Sequence, residues 1–177
     1  MQALIVVDVQ NDFCPGGALA VGDGDAVVGP INRLARDASF VVATRDWHPP
    51  DHSSFSVEGG VWPVHCVRGT PGAELHPGVD QSQIDVIVDK GELSDLEGYS
   101  GFEETSLERL LRERGVDHVD VVGLALDYCV KATALDARRA GFGVTVHRGA
   151  TRAVEVSPGD GERAVEELRA AGVEVVD

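Results

Sequence analysis

Six short apolar runs are the feature that most restricts how this chain can fold. They are rich in valine and isoleucine and cover residues 3–7, 40–43, 84–88, 119–122, 144–146 and 173–176. Each run holds at most one polar residue, so each fits a strand that is covered on both faces. Such strands are typical of a mostly parallel sheet with helices packed on its two sides.

Helical patterns separate several of these runs. They cover residues 105–115, 129–141, 160–172 and, more weakly, 23–38. The first has Thr105 or Ser106 as a candidate N-cap, and the last is weaker because Gly29 and Pro30 lie inside it. The alternation predicts an α/β fold, a three-layer αβα sandwich around a doubly wound, mostly parallel sheet, in a single domain spanning residues 1–177.

Composition restricts the partners and the compartment. Thirty acidic residues against fifteen basic ones give a formal net charge of −15, which repels nucleic acids and anionic membranes. No apolar run approaches the roughly 20 residues of a membrane span. The three cysteines cannot all pair with one another, and the first residues lack the basic start of a secretory signal, so we expect a cytoplasmic protein with free thiols.

Chemically useful residues follow four of the expected strands. Asp8, Asp46, Lys90 and residues 124–129 come directly after them, and ligands bind at the carboxyl ends of the strands in open parallel sheets. Cys129 begins a helical pattern, where backbone N–H groups favour a thiolate. Asp8 is a candidate proton acceptor for this thiol and Lys90 a candidate electrostatic partner. The residues alone leave two alternatives open, namely a buried structural cysteine and a structural ion pair.

Residues 45–82 form a long segment rich in histidine, proline, glycine and tryptophan. It holds four of the six histidines, and Asp46 and His48 lie two residues apart at a strand end, with His52 and His65 further along. Carboxylate and imidazole ligands suit Zn, Fe or Mn, so this pattern predicts one divalent metal ion in an open site. Histidines that cap loops are the alternative, and His76 fits a turn more simply.

Aromatic residues make up only 5% of the chain but are concentrated in the same loops. Side chains of this type could line a narrow pocket for a flat ring. The aromatic residues concerned are Phe13, Trp47, Phe55, Trp62, Tyr99, Phe102 and Tyr128. Packing under the long loops explains Phe55 and Phe102 equally well. We expect Cys14 and Cys66 to be packing residues.

Taken together, these motifs resemble nicotinamidases, of the isochorismatase-like cysteine hydrolase superfamily. The resemblance extends over nearly the whole chain, in the order ALIVVDVQNDFCPGGAL, TRDWHPPDHSSF, WPVHCVRGTPGAELH, DKGE with GYSGF, and GLALDYCVKATALDA. It implies a six-stranded α/β enzyme that forms a dimer or larger homo-oligomer. It also implies hydrolysis of nicotinamide to nicotinate and ammonia through a cysteine thioester, with activity on pyrazinamide as well.

The resemblance also implies a role for individual residues. Cys129, Asp8 and Lys90 would form the catalytic triad, and a cis peptide bond between Leu124 and Ala125 would direct the N–H groups of Ala125 and Cys129 toward an oxyanion. The metal, which would bind the pyridine nitrogen, would be held by Asp46, His48 and His65, with His52 as a further or weaker ligand. The substrate-binding residues would be Phe13, Trp62, Tyr99, Leu124 and Tyr128.

Two departures from the family pattern bear on substrate preference. Leu126 stands where a threonine is more usual, and residues 92–97, ELSDLE, are unusually acidic. The alternatives are therefore another cysteine amidohydrolase of the superfamily that acts on a carbamoyl or ureido compound, and a non-catalytic metal- or ligand-binding protein. An isochorismatase typically lacks the nucleophilic cysteine, so Cys129 disfavours that activity.

Overall fold

The computed structural model describes residues 1–177 and is built on one sheet of six strands, all paired in parallel. The strands are β1 (Gln2–Val7), β2 (Val41–Asp46), β3 (Val86–Lys90), β4 (His118–Leu124), β5 (Gly143–Arg152) and β6 (Glu174–Val176). Each contains or overlaps one of the six apolar runs, so all six predicted strands are confirmed. Their order across the sheet is β3-β2-β1-β4-β5-β6.

Four α-helices cover the sheet, and they are α1 (Val28–Asp37), α2 (Leu107–Glu113), α3 (Lys131–Arg139) and α4 (Asp160–Ala170). Helix α1 packs on one face through Ile31 and Ala35, beside Leu4 and Val6 of β1. The other three helices bury their apolar residues on the opposite face. The predicted three-layer, doubly wound α/β fold is confirmed.

Local chemistry explains where two of the helices begin. Ser106 is the N-cap residue of α2 but makes no capping hydrogen bond through its side chain; the hydroxyl oxygen of Thr105 accepts instead from the Leu107 backbone N–H at 3.2 Å. Pro30 lies in the first turn of α1, where a missing N–H costs nothing because that group has no partner within the helix. A 3₁₀ turn, Gly24–Val27, precedes α1.

The connection between β2 and β3 contains no α-helix. It consists of irregular chain and short 3₁₀ turns, and it covers the α1 face of the sheet with the buried side chains of Cys66, Ala73, Leu75 and Val79. This is the histidine-rich segment, so its loops lie above the carboxyl ends of the strands. None of the four α-helices is both long and apolar enough to cross a membrane.

Candidate active site

The strand order creates a crevice between β1 and β4. The chain crosses from β1 toward one edge of the sheet and from β4 toward the other, and ligands in open α/β sheets bind at this switch point. Asp8 directly follows β1, while Asp46 and Lys90 end β2 and β3 and are register partners. Cys129 lies in a turn after β4. The predicted convergence at one edge of the sheet is therefore present.

Lys90 is at the centre of this group and is almost completely buried. Its ammonium nitrogen lies 2.5 Å from Asp46 Oδ1, 2.8 Å from Asp8 Oδ2 and 3.6 Å from Cys129 Sγ, and it donates to the Gly98 carbonyl at 2.8 Å. Burial alone would lower the pKa of Lys90, but the two carboxylates raise it well above its ordinary value. The site therefore has a permanent buried cation.

Asp8 has the environment of a proton acceptor. Its Oδ1 accepts a hydrogen bond of 2.7 Å from the Thr44 hydroxyl, whereas Oδ2 has an ion-pair contact with Lys90 but no partner in hydrogen-bond geometry. Burial raises the pKa of Asp8, and burial also raises the pKa of the Cys129 thiol well above its ordinary value. The cysteine therefore rests as a thiol, and Asp8 is a stronger base than an exposed carboxylate.

The turn that holds Cys129 has uncommon geometry. Residues Leu126–Val130 form a single π-helical turn that leads into α3, and such turns are frequent at functional sites. The Leu124–Ala125 peptide bond is cis, as expected. The Ala125 carbonyl accepts hydrogen bonds from Tyr128 and Val130, while the Ala125 N–H has no acceptor in the protein. Ala125 lines the cavity that contains Cys129, so this N–H is available to donate to an oxyanion there.

A second group of side chains has the character of a metal site. One ligand atom each from Asp46, His48 and His65 lies within 4.8 Å of the other two. The Nδ1 atoms of His48 and His65 each lie 2.8 Å from a backbone carbonyl, of Gly91 and Pro63 respectively. Because a carbonyl only accepts, Nδ1 carries the proton in both rings and leaves the Nε2 lone pair free for a metal.

The charges in this second group are also those that a metal requires. Burial would raise the pKa of Asp46, but Lys90 and His48 lower it well below its usual value, so Asp46 is ionised. Burial lowers the pKa of His65 and favours the neutral imidazole. One carboxylate oxygen and two imidazole nitrogens form a donor set that fits Zn, Fe or Mn.

His52 does not belong to this group, contrary to its predicted role as a ligand. Its Nε2 lies 2.8 Å from the Leu96 carbonyl and its Nδ1 lies 2.7 Å from the Ser54 hydroxyl, so both ring nitrogens have partners. The ring packs on His48 with their centroids 3.9 Å apart. His52 thus holds the His48 ring in place and ties it to the loop that contains Leu96.

A narrow apolar cavity opens above the two groups, with about 380 Å³ of space between its lining atoms when the open solvent at its mouth is included. Asp46, His65, Ala125 and Cys129 lie on its wall. Its apolar lining contains four of the five predicted substrate-binding residues and three that were not predicted: Phe13, Trp62, Tyr99, Tyr128, Leu19, Val21 and Val154. The indole N–H of Trp62 donates to the Tyr99 hydroxyl at 2.9 Å, which ties two of these rings together. The cavity fits a small flat ring.

Leu124 is the predicted substrate-binding residue that does not line the cavity. Side chains along β4 alternate between the two faces of the sheet, and that of Leu124 is buried in the core on the α1 face. Leu126 is buried in the core on the opposite face and does not reach the cavity either. The leucine that departs from the family pattern therefore does not contact a ligand in this cavity.

Gln10 is a supporting residue that the sequence did not indicate. Its side-chain amide donates to the Asp46 carbonyl and accepts from the Asp46 N–H, both at 2.8 Å, and it also donates to the Ala73 carbonyl at 2.7 Å. Cys14 and Cys66 are buried and free, as expected of packing residues. Burial raises the pKa of Cys14 to about 11, so its thiol is not poised for nucleophilic attack.

Known proteins are similar to this chain in sequence and in fold. A family model described as an isochorismatase domain matches residues 2–177. The chain is 48% identical over 187 residues to a nicotinamidase/pyrazinamidase of Mycobacterium tuberculosis, an alignment that covers 99% of this chain and 98% of that protein.

Two solved structures are also similar. The pyrazinamidase of Pyrococcus horikoshii in complex with zinc has a TM-score of 0.93 and 48% identity, with coverage of 99% of this chain and 98% of that one. The yeast nicotinamidase bound to the inhibitor nicotinaldehyde has a TM-score of 0.93 and 38% identity, with full coverage of both chains.

Proposed function

The chain belongs to the isochorismatase domain family, and from that premise we propose that it hydrolyses nicotinamide to nicotinate and ammonia, with Cys129 as the nucleophile. The observation that carries the proposal is the position of Cys129 in the cavity. Its sulfur lies 3.6 Å from the buried Lys90 ammonium, which also contacts Asp8, on the wall of a cavity lined by aromatic rings.

The first half of the reaction forms a thioester. Asp8 takes the thiol proton of Cys129, and the nearby Lys90 ammonium stabilises the thiolate. The thiolate attacks the carboxamide carbon, and the backbone N–H groups of Ala125 and Cys129 stabilise the resulting oxyanion. Asp8 then gives its proton to the amide nitrogen, the C–N bond breaks and ammonia leaves.

The second half releases the acid. Asp8, again a carboxylate, takes a proton from water as the water oxygen attacks the thioester carbon. The C–S bond breaks, Asp8 returns its proton to the Cys129 sulfur, and the acid leaves as nicotinate after giving its remaining proton to solvent. Lys90 remains protonated throughout, because the two carboxylates raise its pKa. Its role is electrostatic, and it holds Asp8 beside the sulfur.

Asp46, His48 and His65 would hold one divalent metal ion, and such an ion would supply a Lewis acid that orients and polarises a pyridine ring. The zinc complex of the Pyrococcus horikoshii pyrazinamidase supports this assignment. Around the ring, Phe13 and Trp62 would provide apolar contact and exclude water.

The substrate preference is tested with a panel of amides and the purified, metal-supplemented protein. We expect ammonia release from nicotinamide and pyrazinamide, and much less from benzamide, which has the same carboxamide but no ring nitrogen. Cys129→Ala should release none while its circular dichroism spectrum matches that of the wild type. Release from an N-carbamoyl amino acid but not from nicotinamide would favour the carbamoyl-hydrolysing alternative, and no release from any amide would contradict the proposal.

The assembly state and the location are separate proposals. A homo-oligomer is expected from the family resemblance, and light scattering on the purified protein gives its mass. A cytoplasmic location is consistent with three free cysteines, since thiols stay reduced in that compartment.

A further inference from the structure

Asp127 is a buried carboxylate that the proposed chemistry does not use. It lies in the π-helical turn, two residues before Cys129, and the residue is only 7% exposed. Both of its oxygens have a partner in a distant loop: Oδ1 accepts from the Val154 N–H at 2.9 Å and Oδ2 from the Glu155 N–H at 3.0 Å. A buried charge is stable only when its oxygens are satisfied in this way.

The loop that Asp127 holds forms part of the cavity wall. Val154 lines the cavity together with Tyr128 and Cys129, which lie on the same turn as Asp127. On its far side the loop is fixed by Glu155, whose carboxylate accepts hydrogen bonds from the Gly159 and Gly161 N–H groups at 2.7 and 2.8 Å. Asp127 is therefore the link between the turn that holds the nucleophile and the part of the cavity wall that Val154 forms.

We propose that Asp127 is a positioning residue that sets the width of the substrate cavity by holding Val154 against the ring-binding space. The inference rests on the proposed amide hydrolysis. Asp127 touches neither the substrate nor the reacting atoms and acts through the backbone of Val154. Its loss widens the cavity and weakens contact with the ring equally in the ground and transition states, which raises KM and leaves kcat nearly unchanged.

Asp127→Asn is the variant that tests this role. An asparagine has one acceptor oxygen and an NH₂ group that cannot accept from a backbone N–H, so one of the two hydrogen bonds is lost with almost no change in volume. For nicotinamide we expect KM to rise about tenfold or more while kcat stays within about twofold of the wild type. A purely structural role would instead reduce the folded fraction, which lowers the apparent kcat and leaves KM unchanged.

Val154→Ala is the second variant, and it changes the wall without touching the buried carboxylate. It should also raise KM, and the double variant should have a KM close to that of the worse single variant, because both substitutions remove the same contact. Asp136→Asn is the matched control, since Asp136 lies on α3 and its side chain pairs only with the exposed Arg139. It should leave both constants unchanged.

Three results would overturn the inference. They are an unchanged KM in Asp127→Asn, an unchanged KM in Val154→Ala, and KM effects that multiply in the double variant. A wild-type protein that releases no ammonia from nicotinamide would instead contradict the proposed function. The two failures are therefore distinguishable in a single set of rate measurements.

Discussion

Thr44→Val removes a buried hydrogen bond to the carboxylate of Asp8 with little change in side-chain shape. The Thr44 hydroxyl donates to Asp8 Oδ1 at 2.7 Å, and both residues are fully buried. A hydrogen bond to the charged form of an acid lowers its pKa, so its removal should raise the pKa of Asp8. Asp8 would then stay protonated to a higher pH, and a protonated carboxyl group cannot accept the thiol proton.

The expected size follows from the strength of such a bond. A hydrogen bond to a charged group contributes about 1.5–3 kcal/mol, which changes a protonation equilibrium by a factor of about 10–100. On the acid side of the pH profile, kcat/KM of the variant should therefore fall at least about tenfold below that of the wild type, and the two should converge at higher pH.

The assay is ammonia release from nicotinamide as a function of pH. Thr133→Val is the matched control, because Thr133 is equally buried but accepts a hydrogen bond from the neutral Gly101 N–H, at 2.9 Å. It should leave the shape of the profile unchanged. If Thr44→Val lowers kcat/KM by the same factor at every pH, Asp8 is not the group whose ionisation the reaction requires.

Three further changes test the binding groups and the sheet. Tyr99→Phe removes the hydroxyl oxygen that accepts a hydrogen bond from Trp62. In steady-state assays of ammonia release, KM for nicotinamide should rise about two- to tenfold with kcat nearly unchanged. An unchanged KM would exclude a role of this hydroxyl in binding. His65→Ala should lose the divalent metal on dialysis, as measured by elemental analysis, whereas the wild type should retain about one ion per chain; full retention would exclude His65 as a ligand. Burial acts to raise the pKa of Asp120, but the hydrogen bond with His147 outweighs it and lowers the pKa. The ionised Asp120 therefore stabilises the fold above about pH 4, and this contribution is lost as the pH falls further. Urea unfolding should therefore show Asp120→Asn less stable than the wild type at pH 6, with the difference shrinking toward pH 3; a constant difference would contradict the linkage.

The sequence predicts the sheet well because its signal is local. A run such as residues 3–7 has no polar position, is only five residues long and is rich in β-branched residues, which favours a strand buried on both faces. The parallel arrangement then places Asp8, Asp46 and Lys90 at the same edge, since they lie at the carboxyl ends of the consecutive strands β1, β2 and β3. The catalytic residues are thus brought together because each lies at the carboxyl end of a strand or just after it.

The errors involve partners that the residue type does not reveal. His52 resembles a ligand in sequence, but the path of two loops places Ser54 and the Leu96 carbonyl against its nitrogens. Gln10 and Asp127 were not identified because they bind backbone atoms, and backbone atoms carry no sequence signal. The only hint that the chain offers is position: Gln10 comes three residues after a buried strand, and Asp127 comes two residues before the candidate nucleophile.

Covalent capture of the substrate by Cys129 is the central claim, and it is tested most directly by peptide mass spectrometry. The wild-type protein is mixed with nicotinamide, quenched in acid at times before and after the first turnover, and digested. We expect a nicotinoyl group on the peptide that contains Cys129 and none on those that contain Cys14 or Cys66. Nicotinate that forms while the Cys129 peptide stays unmodified at every time would contradict the account.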